Sequence, residues 1–130
     1  MKDHKLQIAL LTLRISIFIV MLVWSLDKFI DPSHAAKVFS KFYFIDNLSE
    51  LSAYIIGGLQ ILIVILFVVG LFKKWTYGAI LIMHFISTIS SYQMYIEMKL
   101  LFFAAFPMLA AIFTLFLLRD EDKLWVLSKG

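Results

Sequence analysis

Residues 51–72 read LSAYIIGGLQILIVILFVVGLF, a run without a single charge, and Lys73 and Lys74 stop it. A helix rises 1.5 Å per residue, so about 20 apolar residues cross the roughly 30 Å hydrocarbon core of a bilayer. The run is therefore a membrane span, and it sets the scale for the rest of the chain. Three further segments have that length: about 6–30, 75–95 and 100–118. The first ends in Asp27, Lys28, Asp31 and Pro32, where charges meet a helix-terminating proline. Only a few residues around Glu97 and Lys99 separate the last two, and so short a link makes them antiparallel neighbours. The expected fold is all-α and integral to the membrane: one domain over 1–130, forming an antiparallel four-transmembrane-helix bundle.

Composition leads to the same place. Of the 130 residues, 62% belong to the set AVILMFWYC and 16% are charged, against about 45–50% and 25% in soluble domains. With a mean hydropathy of +0.93, there is too little polar surface to cover a soluble monomer. No cysteine is present, which excludes disulfides, thiolate nucleophiles, cysteine-pair redox chemistry and cysteine-held metal centres. Lys2 and Lys5 precede the first apolar run in the manner of a signal peptide. That run is too long for a signal core and lacks a small-residue cleavage site, so a retained span is expected.

Four spans put both termini on one side. Lys2, Lys5, Arg14, Lys73, Lys74, Arg119, Lys123 and Lys129 lie on that side, against Lys28, Lys37, Lys41 and Lys99 on the other. Cytoplasmic termini follow from the excess. Basic residues that flank spans account for the net charge of +3 without a nucleic-acid partner. In the loop after the first span, Val38, Phe39, Phe42, Tyr43 and Phe44 predict a short helix lying on the bundle or at the interface. The tail Arg119-Asp120-Glu121-Asp122-Lys123-Leu124-Trp125 reads as a solvated end with Trp125 at the interface.

Ionisable and polar groups at membrane depth are costly and mark candidate sites. Arg14 is either a snorkelling anchor or an interior ligand for an anionic or carbonyl group. Counted from Leu6 and Trp75, Arg14 and His84 fall at similar depth and could share a cavity. His84, Ser87, Thr88, Ser91 and Tyr95 share one helical face, which must turn inward to bond neighbouring helices or to line a site. Gln60 forms a stripe with Ala53 and Gly57 that lets another helix approach closely. It bonds across the bundle or, with His84 or Arg14, completes a pocket for a quinone-like carbonyl or a lipid headgroup. One chain offers no second axial haem ligand and no carboxylate cluster for a metal, since His4 and His34 lie outside the spans. Proton-coupled cation exchange lacks its membrane carboxylate, because Asp27 stands at a span edge.

Several of these features together resemble the DoxX and MauE-like superfamily of small four-helix membrane proteins. They are Arg14, the exit from Trp24 to Pro32, the loop from Phe39 to Leu48, and Gly57-Gly58-Leu59-Gln60 leading to Gly70, Lys73, Lys74 and Gly78. Gln60 stands where the family commonly has an acidic residue, and Trp24-Ser25 replaces a small residue. The resemblance implies a bacterial inner-membrane accessory protein of redox systems such as thiosulfate-to-quinone electron transfer, amine dehydrogenase maturation or oxidative-stress complexes. It also marks Arg14 and Lys28 as family-linked charged positions.

The expectation is thus a non-catalytic accessory subunit or assembly factor, in the bilayer with a membrane-protein partner or a second copy of itself. No intrinsic cofactor, metal or catalytic residue is expected. The alternative is a binding or transport protein in which Arg14, Lys28, Gln60, His84, Ser87, Thr88 and Ser91 hold a quinone, lipid or small hydrophobic solute. An enzyme would need a pH-dependent rate assigned to His84, and nothing in the pattern demands one.

Overall fold

The computed structural model describes residues 2–43 and 50–127, and these are helical throughout apart from turns and the tail, with no strand. The helices are α1 (Lys2–Ile30), α2 (Pro32–Tyr43), α3 (Glu50–Val68), α4 (Lys73–Ser90), α5 (Tyr92–Ile96) and α6 (Ala105–Leu117). Short 3-10 turns cover Leu100–Ala104 and Arg119–Glu121. Among the described residues, three helical segments are long and apolar enough to cross a membrane: His4–Ile30, Leu51–Val68 and Leu100–Leu117. The segment expected at 75–95 comes out differently. Its helix opens on Lys73 and Lys74, carries a polar stripe, and breaks at Ser91 before the five-residue α5, so its apolar content is lower.

The elements end where local chemistry ends them. Asp31 caps α2: its Oδ1 accepts from the Ser33 hydroxyl at 2.6 Å and from the His34 backbone N–H at 3.2 Å, with Pro32 in the first helical position. The short helix expected after the first span is α2, whereas residues 44–49, with Phe44 and the end of the loop 39–48, lie outside the described residues. Gly70, at φ +71°, closes α3. Its N–H bonds the Phe67 carbonyl and that of Leu71 bonds the Leu66 carbonyl, both at 3.0 Å, the pattern of a left-handed helix cap.

Two buried stripes organise the interior. On α1, Leu10, Arg14, Ile17, Met21, Ser25 and Lys28 follow at spacings of four and three, and on α4 so do Lys73, Tyr77, Ile80, His84, Thr88 and Ser91. Each stripe is apolar in the middle and polar towards both ends. The middle sections meet Val64 and Phe67 of α3 and Ile112 and Leu115 of α6 in one apolar core. Residues such as Ile19, Leu62, Ile82 and Phe113 point outward, as an apolar solvent requires. The interior therefore has two polar ends separated by an apolar centre.

Candidate functional site

At the end where α3 passes into α4, the chain beyond α6 folds back and buries Asp122, while Asp120, Glu121, Lys123, Trp125 and Leu127 stay exposed. Asp122 is 0% exposed and Arg14 1%, and they pair at 2.7 Å. Arg14 Nη2 also donates to the carbonyls of Leu124 at 2.7 Å and Trp125 at 3.1 Å. The Tyr77 hydroxyl donates to the other Asp122 oxygen at 2.6 Å, and the Lys73 ammonium to the Asp122 carbonyl. Gln7 Oε1 accepts from the backbone N–H groups of Lys123 and Leu124, and its amide nitrogen donates to the Glu121 carbonyl. A Leu127 N–H to Val69 carbonyl bond of 2.8 Å fixes the end of the tail.

The tail is largely exposed, Trp125 included, as expected of a solvated end; what corrects the expectation is Asp122, which turns inward onto Arg14. Arg14 does not reach the surface as a snorkelling anchor would, and it stands away from the pocket lining; it is the buried partner of Asp122. Nor is it level with His84. α1 is already helical from Lys2, four residues before the expected start. Arg14 therefore meets Tyr77, and His84 lies seven residues further along α4, about 10 Å at 1.5 Å per residue.

The other polar end holds a pocket of about 620 Å³ between α1, α2, α3, α4 and the turn before α6. That volume suits a drug-sized ligand. Its walls include Trp24, Lys28, Gln60, His84, Ser87 and Ser91, with Asp27 and His34 paired at 2.6 Å on the lining. Of the seven residues singled out in the sequence, the structure brings Lys28, Gln60, His84, Ser87 and Ser91 together. It leaves Arg14 at the opposite end and buries Thr88 behind the wall.

Each wall residue is positioned for a reason. Gly57 lets α3 approach the end of α1, where an added Cβ would stand 2.8 Å from Phe29 Cε2 and 3.1 Å from Lys28 Cβ. That approach brings Gln60, one turn further on, level with the pocket. The Lys28 ammonium reaches back to the Trp24 carbonyl at 3.4 Å. His84 is 2% exposed, stacks on Trp24 with ring centres 6.0 Å apart at 21°, and places Nε2 3.0 Å from the Ala105 carbonyl. The α4 hydroxyls mostly serve their own helix, with Thr88 donating to the His84 carbonyl at 2.7 Å and Ser91 to that of Ser87 at 2.9 Å. The residues the sequence reading missed are Asp122 and Tyr77 at one end and Trp24, Asp27 and His34 at the other. Trp24 was legible only as part of the exit from the first span, and His34 as a residue outside the spans.

Among the described residues, no three His, Asp or Glu side chains gather as a metal site requires. Chemically, the pocket offers a cation, an amide, an imidazole and an aromatic wall inside an apolar shell. It can hold a molecule with an apolar body and one polar head.

No curated protein and no solved structure matches the chain. A family model, that of DoxX, matches residues 9–93. The match takes in both buried stripes and most of the pocket wall, and stops short of Asp122 and the tail. Residues 9–93 are well over half of the sequence, and with three bilayer-length apolar helices around them, the chain belongs to the DoxX family of membrane proteins.

Proposed function

We propose that this DoxX-family chain is a binding protein of the bacterial inner membrane that holds one small amphipathic molecule, a quinone, a lipid or a similar solute, between α1, α3 and α4. The observation that carries the reading is the pocket: Lys28 and His84, both buried, and Gln60 share one cavity whose remaining wall is largely apolar. Buried ionisable groups at membrane depth are expensive, and a ligand's polar head is what makes them useful. The accessory role in redox complexes that the family resemblance implies is compatible with this: the chain holds the molecule for a partner and carries out no chemistry itself.

In the same reading α1, α3, α4 and α6 all cross the bilayer, as an antiparallel bundle with both termini in the cytoplasm. The pocket then opens in the half of the membrane away from the termini. The test is native mass spectrometry of the gently extracted protein, with lipid extraction of the same sample. A bound small molecule that disappears in Gln60→Leu/His84→Leu supports the proposal. Unchanged ligand content in that variant, or a protein partner with no small molecule, removes it and leaves a purely structural accessory role.

A further inference from the structure

Two residues of the pocket wall also belong to the outer surface of the bundle. Val23 lines the pocket, yet it continues the outward stripe Ile19, Val23, Leu26 and Ile30 of α1 and is 58% exposed. Ile86 lines it too, and continues the outward stripe Ile82, Ile86 and Ile89 of α4 at 49% exposure. A side chain that faces both a cavity and the outside stands at the cavity's edge. Val23 lies within the apolar segment His4–Ile30, about 10 Å before its end at 1.5 Å per residue, so this edge meets hydrocarbon rather than water.

The polarity of the wall runs in the matching direction. On α1 the lining charges Asp27 and Lys28 fall in the last turn, and Met21 lies about two turns deeper. On α4 Ser91 and Ser87 lie at the same outer end, and Met83 again lies deeper. The outer end itself is roofed by α2, which packs on α1, α3 and α4 and sends His34 and Val38 to the lining while Ser33 and Lys37 stay exposed. A lipid in that leaflet has the same order, with a polar head at the surface and an apolar chain below it.

Building on the pocket reading above, in which α4 crosses the bilayer, we infer that the pocket is loaded sideways from the hydrocarbon and holds a long-chain amphipath. Its head sits at the polar end beneath α2, and its chain leaves past Val23 and Ile86 into the bilayer. The site thus recognises the head and the first part of the chain, and sets no upper limit on chain length. A solute that must fit whole inside the cavity, or that enters from water, is not its ligand.

The experiment uses the full chain in phosphatidylcholine nanodiscs, with a nitroxide on a single cysteine. Met83→Cys places it in the pocket, Ile82→Cys on the lipid-facing side of the same helix and Lys74→Cys in water. Collisions are measured with oxygen, which concentrates in hydrocarbon, and with a nickel chelate, which stays in water. At position 83 the label is expected to meet oxygen as often as at position 82 and to escape the chelate. The binding probes are 1-myristoylglycerol and 1-erucoylglycerol, compared at equal mole fraction in the bilayer. Each should abolish most oxygen collisions at position 83 and leave those at position 82 unchanged. The two should bind equally within about threefold, because the added methylenes stay in hydrocarbon whether bound or free. Met21→Cys, in the α1 wall, gives the same readout if Met83→Cys does not fold. A label at position 83 reached by the chelate, or rejection of the erucoyl probe alone, overturns the inference while the pocket stands as a ligand site. Oxygen collisions that neither probe changes overturn the pocket reading with it.

Discussion

At the scale of single residues, the pair Arg14–Asp122 decides most. Both groups are buried, and each depends on the other and on Tyr77, Lys73 and the tail carbonyls for its hydrogen bonds. Removing one partner of a buried pair leaves the other charge uncompensated, typically at about 3–5 kcal/mol, whereas replacing both with apolar residues is often close to neutral. Asp122→Ala should therefore lower the midpoint of thermal unfolding in detergent sharply, and Arg14→Met/Asp122→Leu should recover most of the loss. A double variant no more stable than the single one would mean that the tail contacts, not the charge, matter. This pair was not legible in the sequence. Asp122 sits in the run Arg119-Asp120-Glu121-Asp122-Lys123, where three neighbouring acids look alike, and 108 residues separate it from Arg14. Only the path of the folded tail selects which acid turns inward.

At the scale of elements, caps and glycines set where helices stop, and this was largely readable. The Asp31-Pro32 step marked the exit of α1, and the structure adds that Asp31 caps α2. The Ser33 hydroxyl first, and then the His34 N–H, hold the Asp31 carboxyl below its usual range. A carboxyl with a depressed folded pKa stabilises above its ordinary titration range, and that contribution is lost as the pH falls through the folded value. The protection factors of the amides in the first turn of α2, exchange rates corrected for the intrinsic effect of pH, should thus fall in acid for the wild type, while in Asp31→Ala they should be low already at neutral pH. A wild-type pH profile that the variant reproduces would show that the cap contributes nothing. Gly70 works at the other end of the fold. Its φ of +71° disfavours any side chain, and an added Cβ would stand 2.4 Å from Val126 Cγ1. Gly70→Ala should cost at least the roughly 1–2 kcal/mol of a left-handed residue and push the tail from its seat. Faster proteolysis after Lys123, with helix content unchanged, is the expected sign; an equally protected tail would show that Val126 yields at no cost. In the sequence Gly70 stood inside the apolar run that Lys73 and Lys74 stop, so neither its role as the end of α3 nor the tail that lies on it was within reach of a local pattern.

At the scale of the whole molecule, the apolar run lengths carried the membrane assignment, and the same arithmetic misplaced the depth of Arg14. Run lengths count hydrophobic residues, whereas α1 continues through Lys2 to Leu6 and α4 begins on two lysines. The polar face of the third segment was legible from its helical spacing; its partner wall on α1 and α2 was not, because no periodicity pairs Trp24 with His84. What the fold now ties together is one end: the Leu127–Val69 bond and the Arg14–Asp122 pair join the tail, the α3–α4 link and the early part of α1. Such joints require an even number of crossings between the α3–α4 link and the tail, so α4 must cross the bilayer if α6 does. The absence of native cysteine makes this directly testable. Single cysteines introduced as Ser33→Cys, Lys74→Cys, Glu97→Cys and Lys123→Cys are labelled with a membrane-impermeant maleimide on intact cells and again after permeabilisation. The expected pattern is that Ser33→Cys and Glu97→Cys react from outside, and that Lys74→Cys and Lys123→Cys react only once the membrane is opened. The mirror pattern would reverse the orientation and keep the four crossings. Glu97→Cys reacting on the same side as Lys74→Cys would remove α4 from the bilayer, and with it the intramembrane wall on which His84 stands.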